Sequence, residues 1–279
     1  MRNSLKKIFD SLLVKYSNPN YLNTDPIQFV HVFSNPQDQE LVGFISALFA
    51  YGNVKSILKY IKNLLNLLGN TPSQFILETK NLQKIKTQIL GYRFQTSEDV
   101  YQFLLILGIL WQKSNTLESY FTSQGSERII NFQKKFWQTY SNYFSLPPTR
   151  GLKFLVGFEN PKSPNKRYWL FLRWMVRNTY PDLGIYKTIS PSELLYPLDT
   201  HIQKLTSILG MSLRKTNDID KVIEITTAFQ EFCREDPVKY DFSLSRLGIL
   251  KQCKETYEQT LCSICILKVH CNLMGETNK

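Results

Sequence analysis

Residues 197–210 read PLDTHIQKLTSILG, a sequence that predicts an amphipathic helix beginning at an acidic residue. Asp199 and Thr200 are residue types that favour helix starts. Apolar residues then recur at helical spacing, at Leu198, Ile202, Leu205, Ile208 and Leu209. An aspartate placed there lies at the positive end of the helix dipole and stays ionised. Taken alone, this pattern predicts that Asp199 is a structural N-cap.

The whole chain has 279 residues, enough to bury the core of one large domain or of two smaller ones. Its 34 Lys and Arg exceed its 23 Asp and Glu, and the formal net charge of +11 favours a polyanionic partner such as nucleic acid. The N-terminal segment has no uninterrupted apolar run, so we expect neither a secretory signal nor a membrane anchor. We expect a monomeric cytoplasmic protein, associated with the nucleoid if it is bacterial.

Helical periodicity runs along most of the chain, and no segment alternates for long enough to require a β-sheet. Cap and turn residues bound predicted helices at residues 4–17, 37–51, 54–69, 72–90, 97–113, 115–122 and 127–144. Pro147 and Pro148 mark a predicted lobe boundary. We therefore predict an all-α protein with two helical lobes. One is a bundle over residues 38–148, and the other combines residues 1–37 with residues 149–279.

Residues 150–178 predict two helices joined by a hairpin, because the prolines of ENPKSPN exclude a continuous helix while both flanks have helical patterns. The second helix opens at Lys166. Helix N-termini and exposed backbone amides in such a hairpin suit a phosphate. Its basic side chains Lys162, Arg167 and Arg173 are therefore candidate contacts to DNA. A solvated basic helix start is the alternative interpretation.

Four of the five cysteines lie in the last tenth of the chain with the spacing C-x8-C-x2-C-x5-C: Cys253, Cys262, Cys265 and Cys271. Because the cytosol is reducing, we expect thiolate ligands there rather than disulfides. Soft sulfur ligands select zinc or an iron–sulfur cluster. A single C-x2-C hook with two uneven arms favours a 4Fe–4S cluster, with zinc as the alternative. His270 is a weaker candidate ligand, and Cys233 is predicted to be a buried thiol.

Taken together, the hairpin, the Asp-Thr-His segment and the cysteine cluster resemble the helix-hairpin-helix DNA glycosylases related to endonuclease III, in the same order and over about residues 25–271. That family carries its catalytic aspartate in a nearly identical segment, which corresponds here to Asp199, Thr200 and His201. The resemblance implies base excision repair on double-stranded DNA that contains a damaged base. It also implies a 4Fe–4S cluster with a structural role in a C-terminal loop over residues 253–271. His201 is a further candidate contact to DNA.

The hairpin departs from the common pattern of that family. Members with a catalytic lysine carry it just after a compact glycine-containing hairpin, and at the usual separation from the aspartate this chain has Pro181. Lys166 instead lies 33 residues before Asp199 (199 − 166). This longer arrangement is similar to the archaeal 8-oxoguanine DNA glycosylases and to a bacterial family of glycosylase-like proteins. Lys166 is therefore the matching nucleophile, with Lys162 as the alternative.

The resemblance implies a role for each of these side chains. An ionised Asp199 would stabilise the positive charge that develops on the sugar, while Lys166 would attack C1′ and form a Schiff base that permits strand cleavage, an AP lyase activity. The expected substrate carries an oxidised base such as 8-oxoguanine, rotated out of the duplex before cleavage.

The candidates to line a pocket for that base are Gln39, Phe44, Trp169 and Trp174, although aromatic residues at such positions are more often part of a core. The alternative class of function is a non-catalytic nucleic-acid-binding protein of the same fold, with an iron–sulfur or zinc centre. In that case Asp199 is only a cap and Lys166 only a phosphate contact.

Overall fold

The computed structural model of the protein describes residues 2–274, and its secondary structure is helical. Within this range the α-helices are α1 (Arg2–Tyr16), α2 (Pro36–Leu48), α3 (Val54–Leu68), α4 (Pro72–Leu77), α5 (Thr79–Ile85), α6 (Ser97–Ser114), α7 (Glu127–Tyr143), α8 (Arg150–Val156), α9 (Lys166–Val176), α10 (Thr200–Ile208), α11 (Ile219–Gln230), α12 (Asp241–Ile249) and α13 (Gln259–Cys262). Short 3-10 helices lie at Pro19–Thr24, Pro26–Val32, Lys86–Gln88, Glu118–Phe121, Pro191–Glu193, Lys268–His270 and Asn272–Met274. The described residues form no β-strand, only an isolated bridge between Tyr92 and Gln95.

These helices confirm the all-α prediction, and two of the predicted segments differ from them. The stretch 72–90 is divided into α4, α5 and a 3-10 turn, because Glu78 has an extended backbone. Residues 115–122 form only a 3-10 turn, since Asn115 ends α6 in the left-handed conformation, with φ of 57°. No helix among residues 2–274 is both long and apolar enough to cross a membrane.

The chain divides into two compact units. The central unit comprises Leu22–Pro161 and Trp174–Ile189, and the terminal unit comprises the chain up to Tyr21, Lys162–Arg173 and the chain from Ser190 onward. This division differs from the predicted lobes, which placed residues 22–37, 149–161 and 174–189 with the terminal segments. All three stretches instead belong to the central unit, where the 3-10 helix Pro26–Val32 packs against α2 and α8 packs against α6.

The core of the central unit is formed around α2 and α6, which are buried along most of their lengths. Phe44 of α2 lies 5.1 Å from Phe132 of α7 and 6.3 Å from Phe103 of α6, measured between ring centroids. Full burial of a phenylalanine side chain stabilises the fold by about 1.5–3 kcal/mol. At Gly108, α6 passes so close to the Ile76 carbonyl of α4 that a Cβ atom would clash with it.

The terminal unit joins the start of the chain to its last third. Phe9 of α1 lies 5.8 Å from Phe229 of α11 and 5.4 Å from Tyr240, which precedes α12, and Tyr196 stacks on Phe229 at 4.5 Å. Helix α12 packs against both α1 and α10. Residues 237–240 form turns, and α12 begins at Asp241.

Candidate active site

Asp199 is the N-cap of α10, as the sequence predicts. Its extended backbone (φ −97°, ψ 174°) ends the preceding loop, and its carboxylate accepts a hydrogen bond of 2.7 Å from the Ile202 amide. One carboxylate oxygen therefore satisfies an amide that the helix itself leaves unpaired. The side chain is half-buried. The cap fixes the position of the carboxylate, and this is compatible with both the structural and the catalytic interpretation.

Lys166 is the first residue of α9, also as predicted. The backbone turns into the helix at Asn165, whose φ of 44° is left-handed and whose carbonyl accepts hydrogen bonds from Tyr168 and Trp169. The Lys166 side chain is half-buried, and no acidic group in the described part of the chain forms an ion pair with it. The alternative, Lys162, is exposed, and its carbonyl accepts a 3.0 Å hydrogen bond from Ile219 of α11.

Arg173 was predicted to contact DNA, but its burial excludes such a contact. It is 2% exposed, and its guanidinium pairs with the carboxylate of Asp241, the first residue of α12. A side chain buried in such a pair is not available to a phosphate. The remaining candidates, Lys162, Arg167 and His201, each keep part of the side chain at the surface.

Asp241 is the residue that the sequence interpretation missed. Burial raises its pKa to about 6, Arg173 and Lys166 act to lower it, and the negative charge of Asp199 acts to raise it. Lys166 and Asp199 therefore both lie within electrostatic reach of one buried carboxylate. These four residues, Lys166, Arg173, Asp199 and Asp241, all belong to the terminal unit, and we call them the charged cluster.

His201 connects α10 to the segment that follows Cys253. Its Nδ1 lies 2.7 Å from Glu255 Oε1, and Lys204 Nζ lies 2.6 Å from the other oxygen of the same carboxylate. On its other side the imidazole packs against Gly248 of α12, where a Cβ atom would clash with the ring. The Asp-Thr-His segment thus holds α12 and the start of the cysteine region against α10.

The four clustered cysteines lie around one cavity in the terminal unit. All are free thiols, and all four line one small cavity of about 20 Å³. The Glu258 amide points at Cys262 Sγ, at 3.4 Å, and burial raises the pKa of the Cys253 and Cys271 thiols. Among the described residues no three His, Cys, Asp or Glu side chains are close enough together to hold a single metal ion.

Burial excludes three of the four residues that were predicted to line a base pocket. Phe44, Trp169 and Trp174 are all 0% exposed, so none presents a free face to a base. Their volume fills the core instead, the more common role of such residues. Gln39 donates a 2.7 Å hydrogen bond to the Phe33 carbonyl. Gln39, Phe44 and Trp174 belong to the central unit and Trp169 to the terminal unit.

An exposed aromatic surface lies elsewhere in the central unit, where Tyr51, Phe94 and Phe154 meet with centroid distances of 4.9–6.3 Å. Phe94 and Phe154 are 56% and 43% exposed. The Arg93 guanidinium lies 5.8 Å from the Tyr51 ring and 5.4 Å from the Phe94 ring. Three distant parts of the sequence build this surface, so local patterns gave no signal for it.

Comparison with known families gives one match, which covers most of the chain. A family described as "Protein of unknown function (DUF2400)" matches residues 25–250. No curated protein and no solved structure matches the chain. The match ends before Cys253, the first of the four clustered cysteines.

Proposed function

The chain belongs to the DUF2400 family, and from its charged cluster we propose that it is a DNA glycosylase with AP lyase activity on damaged bases in double-stranded DNA. The observation that carries the proposal is that Lys166 and Asp199, 33 residues apart in the sequence (199 − 166), both lie within electrostatic range of the buried Asp241 carboxylate. An amine and a carboxylate at two helix starts are the pair that this chemistry needs. The net charge of +11 supports DNA as the partner.

In the proposed reaction the neutral amine of Lys166 forms a bond to C1′ while the bond between C1′ and the base breaks. The base leaves with the electron pair and is protonated. Asp199 stabilises the positive charge on the sugar during this step. The bound nitrogen then carries two protons and a positive charge, and it loses one of these protons. Its lone pair opens the sugar ring by breaking the bond between C1′ and O4′, O4′ takes up a proton, and a protonated Schiff base results. Removal of a C2′ proton finally expels the 3′ phosphate and cuts the strand.

The exposed aromatic surface supports a DNA substrate from which a base has been rotated. Rotation of one base out of the duplex unstacks that base and leaves its former partner unpaired. Aromatic faces and guanidinium planes stack on such bases, with about 1–3 kcal/mol per base. Tyr51 is well suited to this role because it is held in place, since its hydroxyl bonds to Gln95 and its carbonyl accepts from the Tyr92 hydroxyl at 2.8 Å.

We further propose that Cys253, Cys262, Cys265 and Cys271 hold a 4Fe–4S cluster, with zinc as the alternative. The support is that four soft donors line one cavity and that an amide points at Cys262 Sγ, an interaction that stabilises a thiolate. When bound, such a group cross-links the loop after α12. The proposed reaction uses only the residues of the chain.

Borohydride reduction tests the function directly, because it converts a Schiff base into a permanent protein–DNA adduct. We expect the wild type to form an adduct with an abasic duplex and with at least one oxidised duplex. Lys166→Gln should abolish the adduct, and the matched variant Lys162→Gln should retain it. Asp199→Asn should slow the reaction by about 10²–10³-fold while keeping the helix cap, since asparagine caps as well as aspartate.

Absence of any adduct across abasic, oxidised, alkylated and deaminated duplexes would contradict the proposal. It would leave the non-catalytic DNA-binding alternative, in which Lys166→Gln only weakens binding. An adduct that survives in Lys166→Gln but not in Lys162→Gln would assign the nucleophile to Lys162.

A further inference from the structure

Asp241 and Arg173 form a buried ion pair that connects two distant parts of the terminal unit. Asp241 is 4% exposed and Arg173 is 2% exposed, and 68 residues separate them in the chain. The pair therefore fixes the start of α12 against the middle of α9. Exclusion of water makes the position of each partner depend strongly on the other.

Lys166, at the start of α9, lies on the same face of that helix as Arg173. Lys166 and Arg173 are seven residues apart, which is two turns of an α-helix and brings both to one side. Asp199 is the N-cap of α10, which packs against α12, and its charge acts on Asp241. The two positive and two negative groups of the charged cluster are balanced when all four are ionised.

We propose that Asp241 is a positioning residue. Through its ion pair with Arg173 it holds Lys166 and Asp199 at the distance and in the orientation that the reaction requires. This inference rests on the proposed function, since it names how the nucleophile and the acid of that reaction are kept together. Asp241 itself need not touch DNA. A displacement of about 1 Å between reacting groups is enough to slow a reaction by about 10²-fold.

Stability alone is a weak explanation for such a pair. Replacement of a buried ion pair by apolar groups of similar size is often neutral or stabilising, so retention of the charges points to a requirement for position. The central unit contains a comparable buried pair, Arg177–Asp182, which joins residues only five positions apart. It provides a matched control within the same protein.

A positioning role that depends on the charge of Asp241 should make the reaction rate depend on pH. Burial raises its pKa to about 6, against the opposing effects of Arg173 and Lys166. On α1, which also packs against α12, Asp10 is engaged with Lys6 and accepts a hydrogen bond from the Tyr240 hydroxyl. The ion pair should therefore weaken as the pH falls through about 6, when Asp241 gains a proton.

The first experiment compares the rate of borohydride-trapped adduct formation on an abasic duplex for Asp241→Asn and for the control Asp182→Asn. We expect Asp241→Asn to reduce the rate about 10²-fold with duplex affinity changed less than about threefold, and to lose the acidic limb near pH 6. Asp182→Asn should keep the wild-type rate and pH profile. Equal losses in both variants, or an unchanged rate in Asp241→Asn, would overturn the inference.

A double variant, Arg173→Met with Asp241→Leu, guards against simple unfolding. It removes both charges while keeping the buried volume, so the protein should stay folded but react as slowly as Asp241→Asn. A double variant that is folded and as fast as the wild type would contradict a positioning role.

The second experiment needs no reaction and separates this inference from the proposed function. The carboxyl carbon of Asp241 is titrated by NMR in the wild type, in Asp199→Asn and in Lys166→Gln. Loss of the nearby negative charge in Asp199→Asn should lower the pKa of Asp241, and loss of the positive charge in Lys166→Gln should raise it. If neither changes, the inference fails whatever the adduct assay gives. If both change while the wild type forms no adduct, the proposed function fails and the charged cluster remains.

Discussion

Two buried arginines, four residues apart in the sequence, form ion pairs of different range along the chain. Arg177 pairs with Asp182, five residues further along and in the same central unit. Arg173 pairs with Asp241, 68 residues away, within the terminal unit. The first pair closes a local turn of the chain, whereas the second determines where two helices meet. The same ion-pair chemistry therefore stabilises local structure in one unit and places candidate site residues in the other.

The largest expected effect concerns the proposed metal centre, whose loss should affect the terminal unit alone. Cys262→Ser should lower the stability of the terminal unit by on the order of 5 kcal/mol or more, because metal binding contributes directly to folding. Hydrogen exchange measured peptide by peptide should show faster exchange there and unchanged exchange in the central unit. Cys233→Ser, a change at the cysteine outside the cluster, is the matched control.

Elemental analysis of the purified protein complements that measurement. We expect iron and sulfide in a brown protein, whereas zinc in a colourless protein would support the alternative centre. Protein purified without either metal, and with the stability of Cys262→Ser unchanged, would show that the four cysteines are not ligands.

Replacement of one partner in each buried ion pair should give the next largest effect on stability. Asp241→Leu leaves the buried Arg173 charge uncompensated, which should cost about 3–5 kcal/mol in denaturant unfolding. Asp182→Leu should cost a similar amount, because Arg177 is equally buried. Arg173→Met should restore stability to Asp241→Leu but not to Asp182→Leu. Rescue of Asp182→Leu by Arg173→Met would contradict the assignment of the partners.

The smallest expected effect is a pH dependence that only the long-range pair should show. The pKa of Asp241 is about 6 in the folded protein against an ordinary value of 3.8. The folded state therefore holds the proton more tightly, and this contribution to stability is present below pH 3.8 and lost as the pH rises through 6. A difference of about two pH units corresponds to on the order of 3 kcal/mol.

We therefore expect the free energy of unfolding of the wild type to fall between about pH 4 and about pH 7 relative to Asp241→Asn. Asp218 provides a check of sign, since Arg214 lowers its pKa to about 2 and its contribution is lost only as the pH falls from 3.8 through 2. Identical pH profiles for wild type and Asp241→Asn would contradict the raised pKa.

The sequence predicted the features that depend on near neighbours. Asp199 caps its helix through the amide three residues later, and Lys166 begins a helix directly after a connection whose prolines are visible in the sequence. Burial of Arg173 could not be predicted in this way, because its partner lies on a distant helix. Asp241 was missed for the same reason, since its partner Arg173 lies 68 residues earlier in the sequence.

The contact between Gly248 and His201 has a consequence for the orientation of α12. Gly248 and Asp241 are seven residues apart on this helix, so they lie on one face, two turns apart. The imidazole occupies the space where a side chain at Gly248 would lie, and the helix cannot rotate about its own axis without losing this fit. The contact with the imidazole at Gly248 thus restricts rotation of α12. Because Asp241 lies at the opposite end of this helix, the same contact fixes the direction in which the Asp241 side chain points.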